Sequence, residues 1–409
     1  MREMKDSGVE WIGEIPKDWN CMRLKFAFGN SNVGESVDKE LYSSDENGYI
    51  FYTAGANPVK TSYTEFPMWK YTTDNDILLA RNGTPYIYLP SKDAVYSDHI
   101  IRINIKDGYC RRFLRYCLQR SIESIIVDSV SIATWSISLW KEQKLPLPYY
   151  HEQKYLADYL DSKCSKIDEI IERQQAIIEK LKEYKLSIIT EAVTSGINPD
   201  VEMKDSGSVW FGSIPTNWEM KRLKYVFHIQ KDIAGEEGHT VLSITQKGII
   251  PKDFSNNEGQ FANSYANYQL VHKGDFAMNH MDLLTGWVDI SKYEGVTSPD
   301  YRVFVLNDKN GMCPEYYLYM MQMCYSARIF YGLGQGVSGM GRWRLQADKF
   351  LNFHIPIPPY DEQKIIADYI TDKVNHIEVE IDKRNKLVEK YQEYKKSLIY
   401  EVVTGKKEV

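Results

Sequence analysis

Six cysteines are spread over 409 residues; none forms a CxxC pair or sits beside histidine at zinc-ligand spacing, so neither a structural metal nor a disulfide framework is expected. They read as reduced, mostly packed thiols. The eight histidines are scattered and form no HExxH. No run of about 18 apolar residues exists to span a bilayer, and the charged opening MREMKD lacks the apolar core of a secretory signal. This predicts a cytoplasmic chain with no membrane contact. An excess of positive charge is missing too: 50 Lys and Arg stand against 56 Asp and Glu, a net charge of -6. A nucleic-acid binder of this composition needs its cations gathered on one face, with a partner supplying others.

What the sequence does have is repetition. Residues 4 to 28, MKDSGVEWIGEIPKDWNCMRLKFAF, return 199 positions later as MKDSGSVWFGSIPTNWEMKRLKYVF. Residues 145 to 163, LPLPYYHEQKYLADYLDSK, return 210 positions later as IPIPPYDEQKIIADYITDK. The segments between, 29 to 144 and 228 to 354, share little beyond a helix-like stretch opened by Gly-x-Cys at Gly108 and Gly311. They carry 13 Lys and Arg against 14 Asp and Glu, and 11 against 13, so neither is basic overall. A constant frame around divergent inserts implies one scaffold that meets the same kind of partner twice, with inserts suited to two different ligands of one class. Duplication followed by loop drift is the plainer alternative.

From Glu152 to Val193 neither glycine nor proline interrupts the chain. A seam runs through Leu160, Cys164, Ile167, Ile171, Gln174, Ile178, Leu181, Lys185, Ile188 and Ala192 in alternating steps of four and three, the spacing of a coiled coil. The second copy keeps the register at Ile370, Val374, Ile377, Ile381, Arg384, Val388, Tyr391, Lys395, Leu398 and Val402. At 1.5 Å per residue each helix is on the order of 60 Å long. Prolines at 146 and 148, and at 356, 358 and 359, punctuate the helix starts. Further apolar residues widen the stripe: Ile177, Tyr184, Ile189 and Val193 in one helix, Tyr394, Ile399 and Val403 in the other. They predict a second surface that binds another protein.

The frame resembles that of type I restriction-modification specificity subunits. The opening KDSGVEWIGEIPKDW with RLK following carries the likeness, as do the PLP-x-x-x-EQK lead-in to a long helix and the repetition of these pieces after Glu191-Ala192-Val193-Thr194. The resemblance covers essentially the whole chain. It implies an α+β fold with two globular α/β target-recognition domains in tandem, each followed by a long helix, the helices pairing as an antiparallel coiled coil with pseudo-twofold symmetry. The implied division is a first recognition domain over 1–150, a helix over 151–196, a second domain over 197–360 and a helix over 361–409. It also implies double-stranded DNA, two methyltransferase subunits and motor-endonuclease subunits as partners. No cofactor is expected in this chain; S-adenosylmethionine, ATP and Mg belong to the partners. With 558 - n as the antiparallel register, Leu160 faces Leu398, Ile167 faces Tyr391, Leu181 faces Ile377, Ile188 faces Ile370, and Gln174 meets Arg384 near the middle.

Inside the inserts, Asn75-Asp76-Ile77-Leu78-Leu79-Ala80-Arg81-Asn82-Gly83 resembles the family's strand-and-loop, with Asn75 in place of its usual Gly. The stretch from Lys273 to His280, followed by Ser298 to Tyr301, is the counterpart. Loops of this kind suit base edges, because Arg pairs with guanine and Asn with adenine. The DNA-contact candidates are therefore Arg81, Asn82, Thr84, Lys92 and His99 in the first insert and Asn279, His280 and Arg302 in the second. Arg111 and Arg115 share a helical face, and Arg342 and Arg344 flank Trp343; these add phosphate contacts.

Three motifs argue for an enzyme and fail. Gly334 to Gly339 spells GxGxxG, but outside a strand-turn-helix unit. Ile357-Pro358-Pro359-Tyr360 has Ile where an amino-methyltransferase needs Asn or Asp. Pro199-Asp200, Glu202 and Lys204 crowd a nuclease-like set into a linker, and the Glu-Met-Lys part repeats as frame at Glu3, Met4 and Lys5. The sequence thus predicts a non-catalytic recognition subunit. A stand-alone nucleic-acid-modifying enzyme and a coiled-coil scaffold without specific DNA binding are the rivals.

Overall fold

The computed structural model describes residues 2–43, 48–127, 134–254, 262–336 and 343–409. Arg342 and the last three residues of the GxGxxG run lie outside them. The chain divides into two compact units, Met1–Gln175 with Asn385–Val409, and Ala176–Arg384.

Unit one is built on a four-stranded antiparallel sheet of β1 (Phe28–Val33), β2 (Asp76–Ala80), β3 (Ile87–Tyr88) and β4 (Ile100–Ile105), in the order β1-β4-β2-β3. Every residue of β2 is buried, and β4 alternates. Helix α1 (Arg111–Val127) places Phe113, Leu114 and Cys117 in the core with Ile77, Leu79 and Ile103. Unit two repeats this topology from dissimilar sequence with β5 (Phe227–Gln230), β6 (Phe276–Met278), β7 (Val288–Ile290) and β8 (Arg302–Leu306) in the order β5-β8-β6-β7, and a counterpart helix over Pro314–Ser326.

The frame closes each insert into a loop. In unit one Lys144–Leu147 pairs with Asn20–Arg23, and in unit two His354–Ile357 pairs with Glu219–Arg222. Each ladder has only two strands, which is why Pro146 and Pro356 fit there. The glutamine of each EQK is buried and double-bonded. Cys110 N–H donates to Gln153 Oε1 at 2.9 Å, and Gln153 Nε2 donates to the Pro148 carbonyl at 2.9 Å. Cys313 and Pro358 do the same with Gln363 at 3.0 and 2.9 Å. Gly-x-Cys and EQK are therefore two ends of one clasp, and it fixes where the insert's helix begins.

The long helices are α2 (Tyr150–Ser195) and α3 (Tyr360–Val403), of 46 and 44 residues. Leu160, Cys164 and Ile167 share the core of unit one with Leu398 and Val402, while Ile178, Leu181, Ile188, Ile377 and Ile381 form a cluster in unit two. Of the expected facing pairs, Leu160 with Leu398, Ile167 with Tyr391 and Leu181 with Ile377 each share a cluster, whereas Ile188 lies in the small unit-two cluster and Ile370 in the main core of that unit. Two positions beyond α3, Gly405 adopts φ +71, and an added Cβ would meet Pro16 at 2.5 Å; only glycine closes the helix this tightly. Four residues of the predicted partner surface are corrected here. Ile189 and Val193 lie in the core of unit two, where Tyr316 donates its hydroxyl to the Val193 carbonyl at 3.2 Å, and Ile399 and Val403 lie in the core of unit one. They widen the stripe because the last turns of each helix are covered by a globular core. Tyr184 and Tyr394 stay exposed, and Ile177 is half-buried.

Candidate nucleic-acid interface

Arg81, directly after β2, is half-buried. Its N–H donates to the His99 carbonyl at 2.8 Å, and its carbonyl accepts from Trp135 N–H at 2.6 Å. Its guanidinium donates to the Asp98 carbonyl at 3.2 Å, and Asn82 Nδ2 lies 2.9 Å from His99 Nδ1. When the ring accepts there, its proton sits on Nε2. Asn82 Oδ1, one Asn82 N–H and His99 Nε2–H are then displayed together, a mixed acceptor and donor edge of the sort that reads a base. Gly83 takes φ +66 to make the turn, and Thr84 follows it exposed. The structure thus brings Arg81, Asn82 and His99 together with Thr84 in the adjoining loop. Lys92 is exposed on a separate turn.

The basic cluster on α1 is corrected. Arg111 donates to the carbonyls of Asp76 and Pro90 at 3.0 and 3.2 Å, holding strand to helix. Arg115 stacks 4.3 Å over Tyr116 and faces a hollow of about 470 Å³ lined by Asp161, Asp168, Glu169, Glu172 and Lys395. Arg112 between them is paired at 2.6 Å with both Asp158 and Asp161. These cations serve the interior and an acid-lined hollow, which repels phosphate.

In unit two Leu345 N–H donates to the His280 carbonyl at 3.0 Å, as Trp135 does to Arg81, so His280 holds the place of Arg81. The chemistry there differs. His280 is 5% exposed, and its pKa is pushed down to about 3 by burial first and then by Arg302, Arg344 and Lys231, so the ring is neutral at physiological pH. Arg302 is also 5% exposed; it donates to the Leu345 carbonyl at 2.8 Å, stacks 5.0 Å from the Phe350 ring, and is pulled down to about 10 chiefly by burial. Both are buried, Arg302 on β8 and His280 two residues past β6, so their expected role at base edges is corrected. Asn279 Oδ1 accepts from Met281 N–H at 3.2 Å, which shapes its own turn. Arg344 is half-buried beside Trp343, itself 37% exposed.

Sequence reasoning missed a second set of exposed apolar residues on the helices. Tyr155 and Leu387 join Tyr394 in unit one, and in unit two Ile365 joins the exposed Tyr184 and the half-buried Ile177. The two sets correspond at the 210-residue offset, and apolar character kept at paired, solvent-facing positions was the available clue. Among the described residues no group of three or more His, Cys, Asp or Glu is placed to hold a metal, and no helix is long and apolar enough to cross a membrane.

The model of the type I restriction modification DNA specificity domain matches twice, at residues 16–184 and 215–390. Two specificity subunits of Methanocaldococcus jannaschii are similar over nearly their whole length. The type I restriction enzyme MjaVIII subunit is 25% identical over 96% of this chain and 93% of its own. The putative MjaX subunit is 24% identical over 97% and 95%. A chain solved in work on complex assembly and conformational transition of the type I R-M system has the same fold, with a TM-score of 0.67 at 12% identity over 96% of this chain and 99% of that one.

Proposed function

This chain belongs to the type I restriction-modification DNA specificity family, and from that premise we propose that its two units read separate halves of one bipartite, asymmetric duplex site while its helices carry methyltransferase subunits. It is a specificity subunit with two tandem target-recognition domains. The observation that carries the rest is the split between what repeats and what diverges. The clasp, the helices and the exposed set Tyr155, Leu387 and Tyr394 with its counterpart Ile365, Ile177 and Tyr184 recur, as docking for two copies of one protein requires. The strand ends that hold Arg81 and His280 do not recur, as reading two different half-sites requires.

Arg81, Asn82, Thr84 and His99 are the reading residues of unit one, with Lys92 at a phosphate. The chain itself transfers no methyl group and cuts no DNA. Adenine methylation with S-adenosylmethionine and ATP- and Mg-dependent cleavage fall to the methyltransferase and motor-endonuclease subunits, assembled in the cytoplasm. The net charge of -6 supports this division of labour, since such a chain draws much of its phosphate neutralisation from partners. The test is methylome sequencing of a host that expresses the chain with its methyltransferase. Exchanging residues 29 to 144 for the matching segment of a relative is expected to alter one half-site only; a change in both defeats the proposal.

A further inference from the structure

We infer that His280, Arg302 and Arg344 form a recessed seat for one phosphate-class oxyanion, the backbone diester of duplex DNA, an assignment that rests on unit two being a DNA-reading domain. Leu345 organises the three. Its N–H bonds the His280 carbonyl at 3.0 Å, its carbonyl takes Arg302 Nη2 at 2.8 Å, and Arg344 precedes it in the chain. Each of the three side chains then keeps a buried nitrogen with no hydrogen-bond partner: His280 Nδ1, Arg302 Nη1 and Arg344 Nε. Two of these side chains, His280 and Arg302, are 5% exposed.

The charged groups that His280 and Arg302 feel have one sign. His280 feels Arg302, Arg344 and Lys231, and Arg302 feels Arg344; Tyr325, also beside Arg302, is a phenol that burial keeps neutral, and no carboxylate is among these neighbours. An unmade buried donor destabilises a fold, and two guanidinium groups in one recess add repulsion. An occupant with several acceptor oxygens and a negative charge relieves both. A phosphate diester fits because its oxygens accept from donors on different residues and its charge offsets the cations, whereas a base edge offers acceptors in one plane and no charge. The seat lies in the diverged segment, at the strand end where unit one holds Arg81, and Trp343 beside it is solvent-facing. At the equivalent ladder position unit one has Ile101, opposite Leu79 as Arg302 is opposite Met278, so the seat belongs to unit two only.

The experiment uses the purified full chain and its Arg344→Gln variant, a half-buried position, with Arg344→Lys as a variant that keeps the charge. Isotopically labelled inorganic phosphate at constant ionic strength is expected to bind the wild type saturably with one equivalent. Binding should weaken at least tenfold in Arg344→Gln and less in Arg344→Lys. No saturable binding by the wild type, or equal binding by Arg344→Gln, overturns the seat without reference to DNA or to a variant's folding. With duplex DNA, Arg344→Gln is expected to make the slope of log affinity against log salt shallower by about 1, equally for cognate and unrelated sequences. Phosphate binding lost with an unchanged slope makes the ligand a free anion and overturns the DNA assignment. A change of base preference makes Arg344 a base reader and does the same. A wild-type complex that prefers no sequence defeats the specificity reading, and the phosphate titration still decides the seat.

Discussion

Lys395 donates to both carboxylate oxygens of Asp168 at 2.6 Å, and the same ion pair recurs in unit two between Lys185 and Glu378. The residues correspond at the 210-residue offset, Asp168 to Glu378 and Lys185 to Lys395. The two polar interruptions of the apolar seam by lysine are thus explained: each lysine reaches from the seam to an acid on the other long helix, within its own unit. Lys395 is 27% and Asp168 48% exposed, so solvent weakens the attraction. A double-mutant cycle with Lys395→Ala and Asp168→Ala, read by chemical denaturation, is expected to give a coupling of about 0.5–1 kcal/mol that shrinks with added salt. A coupling of zero at low salt would mean the pair does not hold the helices.

The buried amide of Gln153 is worth more. Gln153→Ala leaves the Cys110 N–H and the Pro148 carbonyl without partners, each costing about 1–3 kcal/mol when buried. Gln363→Ala is expected to have the same effect on unit two. Denaturation profiles in which Gln153→Ala shifts the midpoint no more than an exposed substitution such as Lys154→Ala would refute the clasp.

The helix surface divides into two kinds of apolar residue, and variants separate them. Ile399→Ala empties a side chain 2% exposed in the core of unit one, and about 2–5 kcal/mol of stability is expected to go with it. Tyr184→Ala and Tyr394→Ala remove side chains 58% and 53% exposed. Thermal melting should be unchanged, and retention of the methyltransferase on the purified double variant should fall at least tenfold. Full retention would move the docking surface elsewhere.

How far the sequence could be read differs by level. The seam, the two copies and the helix starts were legible because each rests on periodicity or on proline, which act locally. The clasp was visible only as two conserved spellings within the chain, Gly-x-Cys and EQK; that one residue's amide joins them is a contact across 43 positions in unit one. Burial was the hardest to read. Val193 and Tyr184 both read as apolar residues flanking the seam, and the globular core at the end of α2 covers only Val193. Arg111 and Arg81 are both arginines near loops, yet one finds two carbonyls of its own unit and the other sits at a turn beside Asn82. A sequence shows where cations are, and the fold decides which of them face outward.

Acid sensitivity follows from His280. Its folded pKa of about 3 lies below the ordinary value of 6.5, so above pH 6.5 neither state is protonated and the group adds nothing to the pH dependence. As pH falls from 6.5 towards 3 the unfolded chain takes a proton that the folded chain refuses, and stability drops; below that both are protonated and the loss levels off. His280→Gln is expected to flatten this part of the stability curve relative to wild type. Parallel curves between pH 6.5 and 4 would show that the ring is accessible and protonates in the folded protein.

The division between Asn82 and Arg115 gives the most direct test of which surface of unit one reads DNA. Asn82 has an oxygen and a second N–H left after its contact with His99, enough for a paired bond to one base, and loss of such a pair costs about 1–3 kcal/mol of discrimination. Arg115 faces an acid-lined hollow, where a phosphate meets four carboxylates. Asn82→Ala is therefore expected to relax one position of one half-site in the methylated motif and leave the other half-site unchanged. Arg115→Gln is expected to leave both half-sites and the salt slope of binding unchanged, because its charge is already offset from within. Should Arg115→Gln weaken binding uniformly while Asn82→Ala leaves the motif intact, the reading face would lie on α1 and not at the end of β2.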